Sequence, residues 1–370
     1  MARPRQVANR IPAAGLHGLQ SALHVLGQTF RARLPRRPLA WALVAVLLSV
    51  GLATASFADN APTAQQLIGA IETAFGITPG QRRNHIKGTC ATGVFVANGN
   101  GARFSRSPLF SGKEIPVVAR FSLAGGKLKA PDTTRNPRGL GLQFQLPGAQ
   151  QLNMAMISTP VFGAATPQTF HANMIALAPD PATGKANPEA MKAFRANHPD
   201  NQAQTAFLAA NNPPVSYANS SYYSLHAFRF INRANRSTLV RWQFVPQDGE
   251  QRLTAEELAS GPSNFLEQRL LERTRQGPVN WDLVLTIGRP GDSENDPSQA
   301  WPENRTRVNV GTLRLSAASS QAAGSCGAVV FDPLVLSDGI QPTDDPVLQA
   351  RSGAYGLSYA RRVTEASAPA

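Results

Sequence analysis

Four stretches of this 370-residue chain carry side chains suited to acid–base or metal chemistry. The first is Arg82-Arg83-Asn84-His85-Ile86-Lys87-Gly88, an imidazole set among cations. Imidazole can take up and return a proton near neutral pH, although a lone histidine beside a strand is more often structural. The second begins Ala119-Arg120-Phe121-Ser122-Leu123-Ala124-Gly125 and continues through Asp132-Thr133-Thr134-Arg135-Asn136-Pro137-Arg138-Gly139-Leu140. The third is Ser158-Thr159-Pro160-Val161-Phe162. The fourth joins Phe331-Asp332-Pro333, Gly339-Ile340-Gln341-Pro342 and Asp345 to Leu348-Gln349-Ala350-Arg351-Ser352-Gly353-Ala354-Tyr355, and closes on Arg361-Arg362. Arg351 and Tyr355 stand four apart on a helical stretch, so their side chains share a face. A guanidinium beside a phenol favours the phenolate, a hard anionic donor suited to ferric iron. Taken alone, the pair also fits a packed tyrosine with a surface arginine.

The two cysteines, Cys90 and Cys326, do not stand at metal-site spacing, so neither zinc nor an iron–sulfur cluster is supported. In an oxidising compartment they would close one very long loop. A pair of buried thiols is the other arrangement, and the sequence leaves both open.

The elements H-x-K-G at His85, R-F-S at Arg120, D-T-x-R-x-P-R-G at Asp132 and R-x-x-x-Y at Arg351 occur in one order and at characteristic spacing. In these elements the sequence resembles the haem catalase superfamily. It resembles above all the shorter catalase-related peroxidases, which lack the C-terminal extension of full catalases. The resemblance runs from about Leu67 to Arg362. It implies an α+β fold, a catalase-like eight-stranded antiparallel β-barrel with helical insertions, holding haem b. Tyr355 would be the iron's proximal ligand, backed by a hydrogen-bond chain Tyr355–Arg351–His226–Asp345. Arg82, Arg120 and Arg362 would face the haem propionates. His85 would be the distal acid–base, and Ser122 would hydrogen-bond its second ring nitrogen and fix its tautomer. Arg135 and Arg138 are expected to be structural ion-pair residues.

The activity implied is reduction of hydrogen peroxide or organic hydroperoxides by a small organic reductant, through an oxoferryl intermediate. A true catalase that dismutates peroxide is the first alternative, and a haem-binding protein with little turnover the second. A pure carrier would not need a distal acid–base such as His85 with Ser122. The short chain also lacks much of the surface that carries an NADPH site in larger catalases. Two departures from full catalases favour donor oxidation over dismutation. Ser158 stands where an asparagine helps orient peroxide, and Ala124 stands where a valine narrows the approach to the haem.

Positioning these groups requires a framework that the apolar pattern partly discloses. Leu67, Ile68, Ile71 and Phe75 recur at helical spacing, ended by Gly76 and Pro79-Gly80. Alternating apolar and polar residues predict strands over Thr92–Ala97, Val117–Leu123, Gly139–Leu146, Gln151–Ser158, Ser224–Ile231, Thr238–Val245, Trp281–Ile287 and Val308–Leu315. Helices are predicted around Pro188–Ala196 and Asn201–Ala210, over Thr254–Arg275 from a capping-box start, and over about Asp345–Leu357. Ser316–Gly324 reads as a small-residue loop and Thr364–Ala370 as a frayed tail.

Composition narrows the class. The chain is 42% hydrophobic with 17 Phe, enough for a sizeable core. Its net charge is +13, but residues 1–38 contribute seven Arg and no acid. The remaining basic residues are scattered and no nucleic-acid-binding motif accompanies them. Residues 1–58 read as a basic N-terminal region with a signal peptide or membrane anchor, and 59–370 as the haem domain. Arg36-Arg37-Pro38 precedes an apolar run, Leu39 to Ala58, that closes on Ser56-Phe57-Ala58, a small-x-small form. The run is long enough to span a bilayer with its basic end in the cytoplasm. A periplasmic or otherwise exported location follows, with attachment to the inner membrane through residues 39–58 if the run is kept.

Overall fold

The computed structural model describes residues 61–367. The expectations for residues 1–58 lie outside the described residues. Helix α1 (Ala64–Phe75) starts in a reciprocal cap between Thr63 and Gln66 and buries Leu67, Ile68, Ala70 and Ile71 on one face. Gly76, at φ 78°, ends it.

Four strands follow in antiparallel succession: β1 (Gly88–Ala97), β2 (Glu114–Leu123), β3 (Arg138–Gln145) and β4 (Gln151–Ile157). Helices α2 (Pro167–Leu177), α3 (Pro188–Asn197) and α4 (Gln202–Ala210) are inserted next. The short β5 (Tyr222–Tyr223) and β6 (Phe228–Ile231) lead to β7 (Ser237–Pro246). After α5 (Ala255–Ser260) and α6 (Leu266–Arg275) come β8 (Val279–Ile287), β9 (Arg307–Ser320) and β10 (Ile340–Pro342). The last helix, α7, runs Pro346–Ala366.

Eight strands close a ring, β1-β2-β3-β4-β5-β7-β8-β9, in which β9 returns to β1 and β7 pairs with β8. Closure satisfies both backbone edges of the barrel wall. Strands β6 and β10 extend outward from β7. The barrel interior is filled, not open. Phe121 lies 5.1 Å from Tyr217 and 5.7 Å from Tyr222 and Trp281, ring centre to ring centre, within a continuous apolar core.

Because successive strand residues face opposite sides, Phe121 points inward while Arg120 and Ser122 point out. Opposite them in register stand Gly141 and Gly139 of β3, then Ala155 and Ile157 of β4. The outer face of β2-β3-β4 is therefore both polar and cleared of bulk. This is the face that positions the site.

Several local expectations needed correction. The predicted fifth strand, Ser224–Ile231, is interrupted. The ring is joined by Tyr222–Tyr223, Leu225 takes φ 64°, and His226 precedes β6 instead of lying in it. Thr254–Arg275 divides into α5 and α6 around Gly261-Pro262, because proline cannot continue the helical hydrogen bonding. Helix α2 was not foreseen. Strand β9 extends through Ser316–Ser320, and Ala317, Ala318, Ser319 and Ser320 pair with β1 despite their small side chains, Ser316 standing at a register shift. The final helix continues past Leu357 into the expected tail. Among the described residues no helix is long and apolar enough to cross a membrane.

Candidate active site

A cavity of about 280 Å³ lies between the outer face of β2-β3-β4 and helices α1 and α7. Its lining includes His85, Arg82, Arg120, Ser122, His226, Arg351, Tyr355 and Arg362. Eight of the nine residues singled out from sequence thus meet in one place. The ninth, Asp345, is fully buried behind it.

On the α7 side, Arg351 Nη2 donates to Tyr355 Oη at 3.1 Å, as the spacing on one helix requires. Asp345 is the N-cap of α7. Its Oδ1 accepts from Val347 N (2.8 Å) and Leu348 N (3.2 Å), and its Oδ2 accepts from His226 Nδ1 at 2.6 Å. One carboxylate therefore starts the helix that carries Tyr355 and fixes the tautomer of His226. Burial lowers the His226 pKa, against the opposing pull of Asp345. The anticipated chain is present in two segments. Among the described residues no hydrogen bond joins Arg351 to His226, although Arg351 is near enough to disfavour its protonation.

On the β-barrel side, His85 Nδ1 and Ser122 Oγ are 3.0 Å apart. His85 occupies the left-handed region, at φ 53°, where L-residues are strained. Three polar contacts keep it there. Asn84 Oδ1 accepts from His85 N (2.7 Å) and from Gly125 N (2.8 Å), and Arg120 Nη2 donates to His85 O at 2.8 Å. Burial, then the charges of Arg120, Arg351 and Arg82, push the imidazole pKa down to about 3. Above that pH it is neutral and able to accept a proton.

Gly139 gives the His85–Ser122 pair its room. A Cβ there would fall 2.5 Å from Ser122 Oγ and 2.9 Å from His85 Nδ1. Gly139→Ala is expected to slow the acid–base step of this pair about tenfold or more, on the scale of one misaligned buried hydrogen bond, while leaving the barrel folded. Stopped-flow absorbance measures this directly, and an unchanged rate would mean that the pair adapts freely.

The arginines are the third component. Arg82 donates only to carbonyls, those of Gly327 (3.2 Å), Cys326 (3.3 Å) and Val329 (2.5 Å). Burial, with Arg120 and Arg362 nearby, pushes its pKa down to about 8. Arg120 is held by Gln321 and by the carbonyls of His85 and Ile86, and burial pushes its pKa down to about 10. Arg362 lies over the Tyr359 ring at 5.0 Å. Among the described residues, none of these three is ion-paired with a carboxylate. Several buried cations without anionic partners are costly. They suit a ligand that brings carboxylates of its own.

The neighbouring arginines behave differently. Arg83 turns away from its neighbour and pairs with Glu72 of α1 and Glu365 of α7, while Arg361 also reaches Glu72. This clip holds together two walls of the cavity. Arg135 and Arg138 are structural, but the expected ion pairs are replaced by bonds to carbonyl and amide oxygens. Arg135 caps the end of α4 through Leu208, Ala209, Asn211 and Asn212, and Arg138 bonds the carbonyls of Asp132, Thr134 and Asn136. The carboxylate of Asp132 instead pairs with Lys87 at 2.6 Å and accepts from Phe265 N and Leu266 N.

The two departures at Ser158 and Ala124 also change meaning. Ser158 Oγ accepts the backbone N–H of Arg138 at 3.0 Å, and its neighbour Ile157 lines the cavity in its place. Ala124 is not among the lining residues. Sequence reasoning missed Asn84, Phe331 and the stacked Phe162–Phe170 pair, 5.9 Å apart, all on the cavity wall. Asn84 and Phe331 lay inside motifs already singled out. Phe170 carried no local signal, because helix α2 brings it in from outside every motif.

Comparison with known proteins agrees with this architecture. The chain matches the family model for catalase over residues 78–367. It is 61% identical over 326 residues to a catalase-related peroxidase of Synechococcus elongatus, covering 88% of this chain and 96% of that one. A catalase-related peroxidase of Mycolicibacterium paratuberculosis is 33% identical over 301 residues, covering 81% and 95%. The catalase of Schizosaccharomyces pombe is 27% identical over 299 residues, and the match covers 76% of this chain but 58% of that one. Among solved structures, a fungal catalase superposes with a TM-score of 0.71 at 20% identity, covering 92% of this chain and 66% of that chain. Catalase A from Saccharomyces cerevisiae gives 0.70 at 22%, covering 91% and 67%. The barrel with its outward-facing site is thus a catalase fold. This chain belongs to the catalase family.

Proposed function

We propose that this chain is a haem b peroxidase that reduces hydrogen peroxide or an organic hydroperoxide at the expense of a small organic donor. One observation carries the reading: a phenol–guanidinium pair, a neutral imidazole tied to a hydroxyl, and three arginines without carboxylate partners all line the same cavity. The donor set fits haem. Tyr355 Oη would ligate the iron, Arg351 would stabilise the phenolate, and Arg82, Arg120 and Arg362 would face the propionates. Gly139 and Gly141 keep the barrel wall flat, since a Cβ at Gly141 would strike the Phe331 ring at 2.6 Å. When bound, haem supplies the iron that accepts the oxidising equivalents of peroxide.

The protein's own contribution is proton management and positioning. With Nδ1 engaged by Ser122, Nε2 of His85 is the atom that takes a proton from peroxide and returns it to the departing oxygen. The arginines orient the ligand and hold its negative charge. The 61% identical relative bears the name catalase-related peroxidase, and Ser158 is not among the residues that line the cavity. Both favour donor oxidation over dismutation. An absorption spectrum of protein loaded with haem tests the cofactor, where a high-spin ferric tyrosinate spectrum is expected. Oxygen evolution measured against oxidation of a phenolic dye tests the activity, and a ratio dominated by oxygen would overturn the peroxidase reading.

We also propose that the chain acts outside the cytoplasm. The support is the apolar run Leu39–Ala58 with its basic flank, together with a disulfide between Cys90 and Cys326, of the kind that persists in oxidising compartments. A reporter fused after the C-terminus should register export, and activity of a cytoplasm-specific reporter would sink this placement.

A further inference from the structure

The disulfide sits against the cavity. Cys90 is on β1, directly opposite Arg120 of β2 in register. Cys326 lies 236 residues away in sequence, in a single turn (Ser325–Gly327) after β9. Both are buried, at 2% and 0% exposure. Gly324 admits the bond, since a Cβ there would fall 2.4 Å from that of Cys90.

The segment that follows Cys326 is a strap along the cavity. Val329, Val330 and Phe331 line it, and Val329 and Phe331 pack with Tyr355 around the disulfide. The far end of the strap is tied by side chains. Asn153 Nδ2 donates to the carbonyls of Val330 (3.0 Å) and Asp332 (3.2 Å), and Ser352 Oγ of α7 donates to Asp332 Oδ2 at 2.5 Å. The near end is tied to the barrel by the Cys90–Cys326 bond. That near end supplies all three carbonyls that hold the Arg82 guanidinium. Arg82 is half-buried beside Arg120 and Arg362, so mutual repulsion would drive it outward if those acceptors drifted.

We propose that the Cys90–Cys326 disulfide is a positioning element for Arg82, and that it thereby controls how tightly the cavity keeps its porphyrin carboxylates. This rests on the haem reading above. A chain that folds with its thiols still reduced then holds haem loosely; thiol–disulfide exchange with an external disulfide, which leaves as two thiols, forms the Cys90–Cys326 bond and locks the cation in place. Oxidation of the cysteines and stable loading become coupled steps. The bond acts as a lock and not as a surface switch, because neither sulfur is exposed.

The test uses the full chain loaded with haem. The rate of haem transfer to excess apomyoglobin is compared for wild type, the double variant C90A/C326A, Arg82→Ala, and the triple combination. The double variant is expected to lose haem about tenfold faster or more, equivalent to about 1.4 kcal/mol or more, with a broadened Soret band. Arg82→Ala is expected to match it, and the triple variant to be no faster than Arg82→Ala. Multiplying effects in the triple variant would show that the bond merely stabilises the fold, and a wild-type rate in the double variant would also overturn the proposal. If C90A/C326A does not fold, C90V/C326A restores buried volume and takes its place. If that also fails, haem transfer is compared in wild type before and after complete phosphine reduction, and equal rates would refute the coupling. Failure of wild type to bind haem at all would instead remove the functional reading on which the proposal stands.

Discussion

Replacing Tyr355 with phenylalanine is expected to remove nearly all stably bound haem while leaving the barrel folded. The ring of Tyr355 packs with Val118, Val329 and Phe331 beside the disulfide, and phenylalanine keeps that packing. Only the oxygen is lost. It accepts the Arg351 Nη2 hydrogen bond and is the sole atom of the side chain able to ligate iron. Loss of a partner that merely orients a metal ligand typically costs 10–100-fold in affinity, so loss of the ligand itself should cost about 100-fold or more. Arg351 would then keep only its approach to the ring, 5.6 Å from the centroid. Haem titration followed in the Soret region gives the affinity, and thermal unfolding of the apoprotein shows whether the fold is intact. Wild-type occupancy and spectrum in Tyr355→Phe would refute the proximal assignment.

His85→Ala should have the opposite signature: haem stays bound and chemistry slows. A positioned acid–base contributes about 100-fold or more, and among the described side chains only the His85 imidazole is tied to Ser122 at the cavity wall. The rate of reaction with peroxide by stopped flow should fall accordingly, with little change in the ferric spectrum. The pH dependence is a second check. Burial and the neighbouring cations push the His85 pKa down to about 3, so the proton-accepting form persists across the neutral and mildly acidic range. In wild type the rate should stay flat as pH falls and decline only on approach to about 3. A decline centred near the ordinary histidine value of about 6.5 would mean that the imidazole is far better solvated than the cavity implies.

The chemistry of this site was legible mainly where it is local in the chain. Arg351 and Tyr355 are set on one helical face by their spacing, and Asp345 caps the same helix, so sequence separation nearly determines their geometry. Strand alternation likewise placed Arg120 and Ser122 on one face of β2 and Phe121 on the other. Motif order across the four stretches disclosed the family, the barrel class and about half of the cavity-lining residues.

Other features depended on which distant segments meet. Arg82 and Arg83 are adjacent and chemically alike and both line the cavity, yet Arg82 is held by the carbonyls after Cys326 while Arg83 clips α1 to α7. His226 was assigned to a strand by its alternating neighbours; the resemblance implied its partnership with Asp345, but only the structure placed it in the break after Leu225. Ser158 was read as a weakened peroxide contact, and the pairing of β3 with β4 gave its hydroxyl to a backbone amide instead. The partnership of Cys90 with Cys326 was equally undecidable from composition. It required β9 to return beside β1 and bring the following turn against the barrel wall. Sequence periodicity determines a side chain's face within its own element, whereas its partner is chosen by ring closure and helix docking, which no local pattern encodes.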